Sequence, residues 1–171
     1  SDWTASEAGL AVSADGQNWS KADAQWKADG NFVRASYMLN GNYVYMFGSA
    51  AGDRNAMAYV ARVASGNVTS YSEYEYWDGA EWVKGDEEAA APIFYGPVDD
   101  MSVVYNASRY TYMAIYRSST TGGLVYRDAG LPEGEWSGEK VLLLDGTSSY
   151  SSPSIVSVGN NAVTFIANEV K

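Results

Sequence analysis

An all-β fold is predicted by three observations. Turn residues break the chain every few positions, no stretch carries a helical apolar period for more than a turn or so, and one strand–turn–strand unit occurs three times. Glycine occurs 17 times and tyrosine 14 times in 171 residues, as expected of short strands joined by tight turns. Helical signals are brief. Ser70 and Glu73 have capping-box spacing, which predicts a turn of helix near Tyr71, and Asp86-Glu87-Glu88-Ala89-Ala90-Ala91 predicts a single turn ahead of Pro92.

The repeated unit sets the architecture. Its first copy is Ala35-Ser36-Tyr37-Met38-Leu39, a turn at Asn40-Gly41-Asn42, then Tyr43-Val44-Tyr45-Met46-Phe47. The second is Met101-Ser102-Val103-Val104-Tyr105, a turn at Asn106-Ala107-Ser108-Arg109, then 110–116. The third is Ser154-Ile155-Val156-Ser157-Val158, a turn at Gly159-Asn160-Asn161, then 162–167. Each copy pairs an alternating strand with a nearly continuous apolar one. A continuous apolar strand needs cover on both faces, which is the environment of the inner strands of a β-propeller blade.

Third strands follow at 57–63 and 122–127, and a Gly–Trp turn then leads toward a fourth. The turns are Gly16-Gln17-Asn18-Trp19, Gly79-Ala80-Glu81-Trp82 and Gly134-Glu135-Trp136. The spacing is that of four-stranded blades. Residues 8–34 read as the last two strands of one blade, 35–98 and 99–152 as two full blades, and 153–171 as the first two strands of another. The chain, taken as one domain over 1–171, therefore reads as part of a longer propeller. Further blades, N-terminal to it in the same chain or supplied by another, are its expected partner. A complete small β-sandwich and a domain-swapped oligomer are the alternatives.

Composition narrows the chemistry. With no histidine and no cysteine, the chain has no Ser-His-Asp triad, thiolate nucleophile, disulfide, zinc finger or iron–sulfur site. Acid–base work falls to Asp, Glu, Tyr, Lys or water. Acidic residues outnumber basic ones 21 to 11, and a net charge of -10 repels phosphate backbones and anionic membranes, which argues against a nucleic-acid partner. No apolar run approaches the length of a membrane span.

Three places carry candidate chemistry. Gly96-Pro97-Val98-Asp99-Asp100-Met101-Ser102 enters the innermost strand of a blade, where adjacent carboxylates would line a central channel. Alternation along a strand lets only one of the two face it, and Asp100, nearer the strand proper, is the catalytic candidate, against an exposed acidic turn as the alternative. Asp99, Tyr95 and Arg117 are candidate substrate contacts. The polar loop Gly48-Ser49-Ala50-Ala51-Gly52-Asp53-Arg54-Asn55 adds Asp53 and Arg54, whose guanidinium suits a sugar hydroxyl or a carboxylate, or else stands in solvent. Ser13-Ala14-Asp15-Gly16-Gln17-Asn18-Trp19 resembles an Asp-box, a structural turn in which the Asp accepts backbone N–H bonds and the Trp packs beneath. Asp86-Glu87-Glu88 reads as a solvated charge run. No metal-ligating set is assigned, although a calcium ion on oxygen ligands is conceivable there or in the channel.

With those repeats and loops in view, the chain resembles the C-terminal part of the actinobacterial endo-D-arabinanase family. The matching stretches run in order: Asn31-Phe32, Tyr43-Val44-Tyr45-Met46-Phe47-Gly48, the loop through Arg54, Ala58-Tyr59-Val60-Ala61-Arg62-Val63, Tyr74-Glu75-Tyr76-Trp77-Asp78-Gly79, Trp82, Gly96-Pro97-Val98, Met101-Ser102-Val103 and Gly134-Glu135-Trp136-Ser137. The resemblance implies a secreted five-bladed propeller that needs no cofactor and hydrolyses α-linked D-arabinofuranose in cell-wall polysaccharide, with carboxylates in the channel as acid and as base or nucleophile. That family carries Glu where this chain has Asp100, a side chain shorter by about 1 Å. It also implies essential carboxylates on N-terminal blades, so the 171 residues alone are expected to be inactive. A non-catalytic glycan-binding propeller and a structural interaction module are the other readings.

Overall fold

The computed structural model describes residues 7–51, 55–144, 149–159 and 162–170. They form thirteen strands in four antiparallel sheets laid out in chain order. The first sheet is the hairpin β1 (Glu7–Val12) and β2 (Ser20–Lys27). The second runs β3 (Arg34–Asn40), β4 (Tyr43–Ser49), β5 (Tyr59–Ala64), β6 (Glu75–Trp77) and β7 (Trp82–Lys84). The third is β8 (Val98–Asn106), β9 (Thr111–Ser118), β10 (Leu124–Ala129) and β11 (Lys140–Leu143). The last is the hairpin β12 (Ser149–Val158) and β13 (Val163–Val170). Two multi-stranded sheets flanked by two hairpins form a partial β-propeller.

The apolar strand β4 shows why the sheets stack. Met46 and Phe47 are adjacent, point to opposite faces and are both fully buried. Met46 joins Trp26, Phe32, Tyr59, Tyr74 and Tyr76, between the first and second sheets. Phe47 joins Val60, Phe94, Tyr112 and Tyr116, between the second and third. Edge-to-face and tilted rings fill both layers: Trp26 meets Tyr74 at 5.0 Å and Phe47 meets Trp136 at 6.0 Å. Ile115 of β9 and Leu124 of β10 are likewise fully buried, and β12 packs against β8 and β9.

The innermost strands are stitched across sheets by serines. Val103 N–H donates to Ser36 Oγ at 3.1 Å, and Ile155 N–H donates to Ser102 Oγ at 3.1 Å. Each donor follows the residue that matches the accepting serine of the previous sheet. By that geometry Ser154 corresponds to Ser102 and Ser36, one residue away from the alignment drawn on apolar pattern.

Four expectations are corrected. The second sheet has five strands, because the turn at Gly79 joins β6 to a short fifth strand, held by the Trp77–Trp82 cross-strand pair at 5.4 Å. The helical turn Tyr71–Glu73 forms without a capping box: the Ser70 side chain makes no cap bond, and Glu73 pairs with Lys84 at 2.9 Å. The run at 86–88 is not uniformly solvated. Asp86 Oδ1 accepts from Glu88 N–H at 3.1 Å, starting a 3-10 turn over Glu87–Ala89 that rolls Glu87 inward to 8% exposure. Gly30 leaves room for it, since a Cβ there would stand 2.3 Å from Glu87 Oε1. Trp19 does not pack beneath its turn and is 65% exposed.

Candidate functional site

The heads of three inner strands converge on one polar cluster. Arg34 is the first residue of β3, Asp99 and Asp100 are the second and third of β8, and Ser152 is the fourth of β12. Arg117, near the end of β9, completes it. Arg34 Nη1 donates to Asp99 Oδ1, and Arg117 Nη1 donates to Asp99 Oδ2 at 3.2 Å. Asp99 thus has a guanidinium on each oxygen, one from its own sheet and one from the sheet before. Asp100 is held differently. Ser152 Oγ donates to its Oδ2 at 2.9 Å, and its Oδ1 lies 3.7 Å from Arg34 Nη1.

The expectation that one carboxylate must turn away is overturned. Both reach the same guanidinium, because β8 carries an extra residue against β9. Val98 pairs with Ser118 and Met101 with Tyr116, so three steps on one strand oppose two on the other. A bulge of this kind suspends alternation and re-aims side chains at a strand end.

The other candidates separate. Tyr95 keeps its ring 74% exposed and contributes its carbonyl, which accepts from Arg127 Nη2 at 3.5 Å. Asp53 and Arg54 lie outside the described residues. Arg117 belongs to the cluster, with its Nε buried and unpartnered. Two members escaped the sequence reading, Arg34 and Ser152. The signal for both is the stitch: Arg34, Asp100 and Ser152 each stand two residues before Ser36, Ser102 and Ser154. Ser152 sits in a break of register in β12 with φ of 48°, an unusual conformation for a residue with a side chain.

Carboxylates elsewhere have structural tasks. Burial pushes the Glu87 carboxyl up, and its Oε2 accepts from Tyr71 Oη at 3.3 Å. Glu88 pairs with Lys27 on the surface. Among the described residues no group of three or more His, Cys, Asp or Glu side chains is placed to hold a metal ion. Among them, too, no helix is long and apolar enough to cross a membrane.

Comparison with known proteins follows this geometry. The pattern described as "Domain of unknown function (DUF4185)" matches residues 1–164. The chain belongs to that family. It is 27% identical to Notoamide biosynthesis cluster protein J of Aspergillus sp. (strain MF297-2) over 97% of its own length and 48% of that protein's. It is 30% identical to Notoamide biosynthesis cluster protein J' of Aspergillus versicolor over 81% and 40%. The chain spans less than half the length of these curated relatives.

This DUF4185 chain also superposes on solved β-propeller glycoside hydrolases. The α-L-arabinofuranosidase PaAbf62A of Podospora anserina, in complex with cellotriose, gives a TM-score of 0.52 at 15% identity, covering 88% of this chain and 43% of the other. The exo-β-1,3-galactanase 1,3Gal43A of Clostridium thermocellum gives 0.55 at 12%, covering 79% and 31%. At such identities the likeness is one of fold.

Proposed function

We propose that this chain is part of a β-propeller that takes a polysaccharide or oligosaccharide at the strand-head end of its channel and, in the complete ring, hydrolyses a glycosidic bond by carboxylate chemistry. The single observation that carries the reading is the convergence of Arg34, Asp99, Asp100 and Ser152 at the heads of three successive inner strands. Asp99, with a guanidinium on each oxygen, acts as a clamp that holds Arg34 and Arg117 for substrate hydroxyls. Asp100, held by the Ser152 hydroxyl with the Arg34 guanidinium 3.7 Å away, is the less tightly clamped carboxylate and the one left for a sugar, and its donor neighbours suit an acceptor role: base, nucleophile or hydroxyl anchor. A glycosidase needs a second carboxylate across the scissile bond, which the remaining blades supply. The sequence resemblance favours D-arabinofuranosyl linkages of cell-wall arabinan as substrate and an extracellular site of action, and the fold shared with an α-L-arabinofuranosidase is compatible with a furanosyl sugar.

A second reading has its own support. Among the described residues the cluster holds one carboxylate not clamped by two arginines, and a propeller that binds glycan without cutting it needs no more. One comparison separates the two. The intact protein and its Asp100→Asn variant are assayed for product release from arabinogalactan and for saturable binding of arabino-oligosaccharides. Hydrolysis predicts turnover reduced about 100-fold or more in the variant. Unchanged turnover removes Asp100 from the chemistry, and binding without product establishes the second reading.

A further inference from the structure

We propose that Ser152 is a positioning residue for Asp100: its hydroxyl ties down one carboxylate oxygen, Oδ2, and turns the other, Oδ1, toward the bound glycan. The inference rests on the reading of Asp100 as the carboxylate left for a sugar, and it says which oxygen acts and what holds it there. Ser152 Oγ donates to Oδ2 at 2.9 Å. Oδ1 stands 3.7 Å from Arg34 Nη1, within ion-pair range but beyond hydrogen-bond reach. One oxygen is thus engaged by a short bond and the other is steered by charge alone.

The backbone that delivers this hydroxyl is bent more than its pairing requires. Ser151 pairs with Asn168 and Ser154 with Ile166, so three steps on β12 oppose two on β13. That is the same count as in the bulge of β8 against β9. The residues between the flanking pairs are Asp99 and Asp100 in β8, and Ser152 and Pro153 in β12. The β8 bulge is made without a left-handed residue, whereas the β12 bulge places Ser152 at φ of 48°. A left-handed bulge residue is normally glycine, and a residue that precedes proline is pressed toward extended backbone. Serine is therefore the costlier choice on both counts. Docking of the strand does not call for it, because β12 is already fastened to β8 three residues on, where Ile155 N–H donates to Ser102 Oγ at 3.1 Å. What serine adds over glycine is the hydroxyl, and the hydroxyl is spent on Asp100. Strain kept where glycine would relieve it points to a task for that side chain.

The test compares the intact protein with Ser152→Gly, Ser152→Ala and Asp100→Asn, in hydrolysis of arabinogalactan and in thermal melts. Ser152→Gly and Ser152→Ala both lose the hydroxyl. Both should lower kcat about tenfold with KM within about twofold of the parent, as loss of one hydrogen bond to a charged group predicts. Only glycine relieves the backbone, so the melting midpoint should rise in Ser152→Gly and not in Ser152→Ala. Activity lost while stability is gained is a result that a merely structural serine does not give. Parental kcat in either serine variant, or a midpoint that falls in Ser152→Gly, would overturn the proposal. The hydrolase reading then stands without it if Asp100→Asn has lost turnover in the same assay. Parental turnover in Asp100→Asn removes Asp100 from the chemistry and overturns both. A parent that binds arabino-oligosaccharides without releasing product moves the comparison to Kd. About tenfold weaker binding is then expected in both serine variants, and parental binding overturns the proposal.

Discussion

The turns at Asp15 and Asp78 have the same local chemistry and different fates. In the first, Asp15 Oδ1 accepts from Gln17 and Asn18 N–H at 2.9 and 2.7 Å. In the second, Asp78 Oδ1 accepts from Ala80 and Glu81 N–H at 2.8 and 2.7 Å. A glycine with φ of 73° or 100° follows the Asp in each, and a tryptophan lies four residues after it. Trp82 then packs, with the Arg62 guanidinium 4.3 Å over its ring and Trp77 and Tyr45 against it. Trp19 stands bare. Four residues suffice to make the turn, but a neighbouring strand is required to bury its tryptophan. The difference shows that the turn motif does not by itself bury its tryptophan.

The strongest way to sharpen that contrast is to truncate both rings. Trp82→Ala should cost about 2–3 kcal/mol of unfolding free energy by denaturant titration, since it removes an aromatic body and a cation–π contact. Trp19→Ala should cost less than about 0.5 kcal/mol, as exposed substitutions usually do. Equal costs would break the comparison.

Next in size is a pH effect at Glu87. Burial raises its carboxyl above the ordinary glutamate range, so the folded protein holds that proton more tightly than the unfolded chain. Its contribution is therefore most favourable below the ordinary range and declines as pH rises through the raised folded value. Glu87→Gln should flatten that decline, making the variant gain on the parent as pH goes from 4 to 7 in thermal melts. A gap that does not widen would contradict the burial argument.

The two turns move with pH in the opposite sense. N–H donors from Asn18 and Gln17 hold Asp15 well below the usual carboxylate range, and those from Glu81 and Ala80 hold Asp78 below it. Each favours the fold above the ordinary Asp range and loses that contribution as pH falls through its lowered folded value. Asp15→Ala and Asp78→Ala should each reduce acid lability below pH 4, and a variant as acid-labile as the parent would show its turn to be inert. The smallest effect is at Ser152. Glycine adopts its left-handed backbone without strain, while the lost bond to Asp100 is an exposed one, so Ser152→Gly should raise stability by roughly 0.5 kcal/mol. A loss of more than that would mean the hydroxyl matters more than the strain.

These contrasts also show what was legible in the sequence. The inner hairpins were, because a run such as Tyr43-Val44-Tyr45-Met46-Phe47 has few homes other than between two sheets. Asp99, Asp100 and Arg117, each singled out as a site candidate, stand in one cluster, whereas Tyr95 is exposed. The bulge that brings both carboxylates to Arg34 was not legible, because one extra residue in a register leaves no mark in periodicity. Arg34 and Ser152 were hidden because the repeat was aligned on apolar residues. The stitching serines would have set the third copy one residue over and lined up Arg34, Asp100 and Ser152. Glu87 looked solvated because its burial depends on Gly30, 57 positions away, and Trp19 looked packed because the turn motif holds no record of a neighbouring strand.

The most direct measurement of the blade architecture is amide hydrogen exchange compared strand by strand. The amides of β4 and β9, each bonded to a neighbouring strand on both sides, should be the most protected, and those of the short strands β7 and β11, each bonded on one side among the described residues, should exchange faster. Exchange at β4 and β9 as fast as at β7 and β11 would contradict the account.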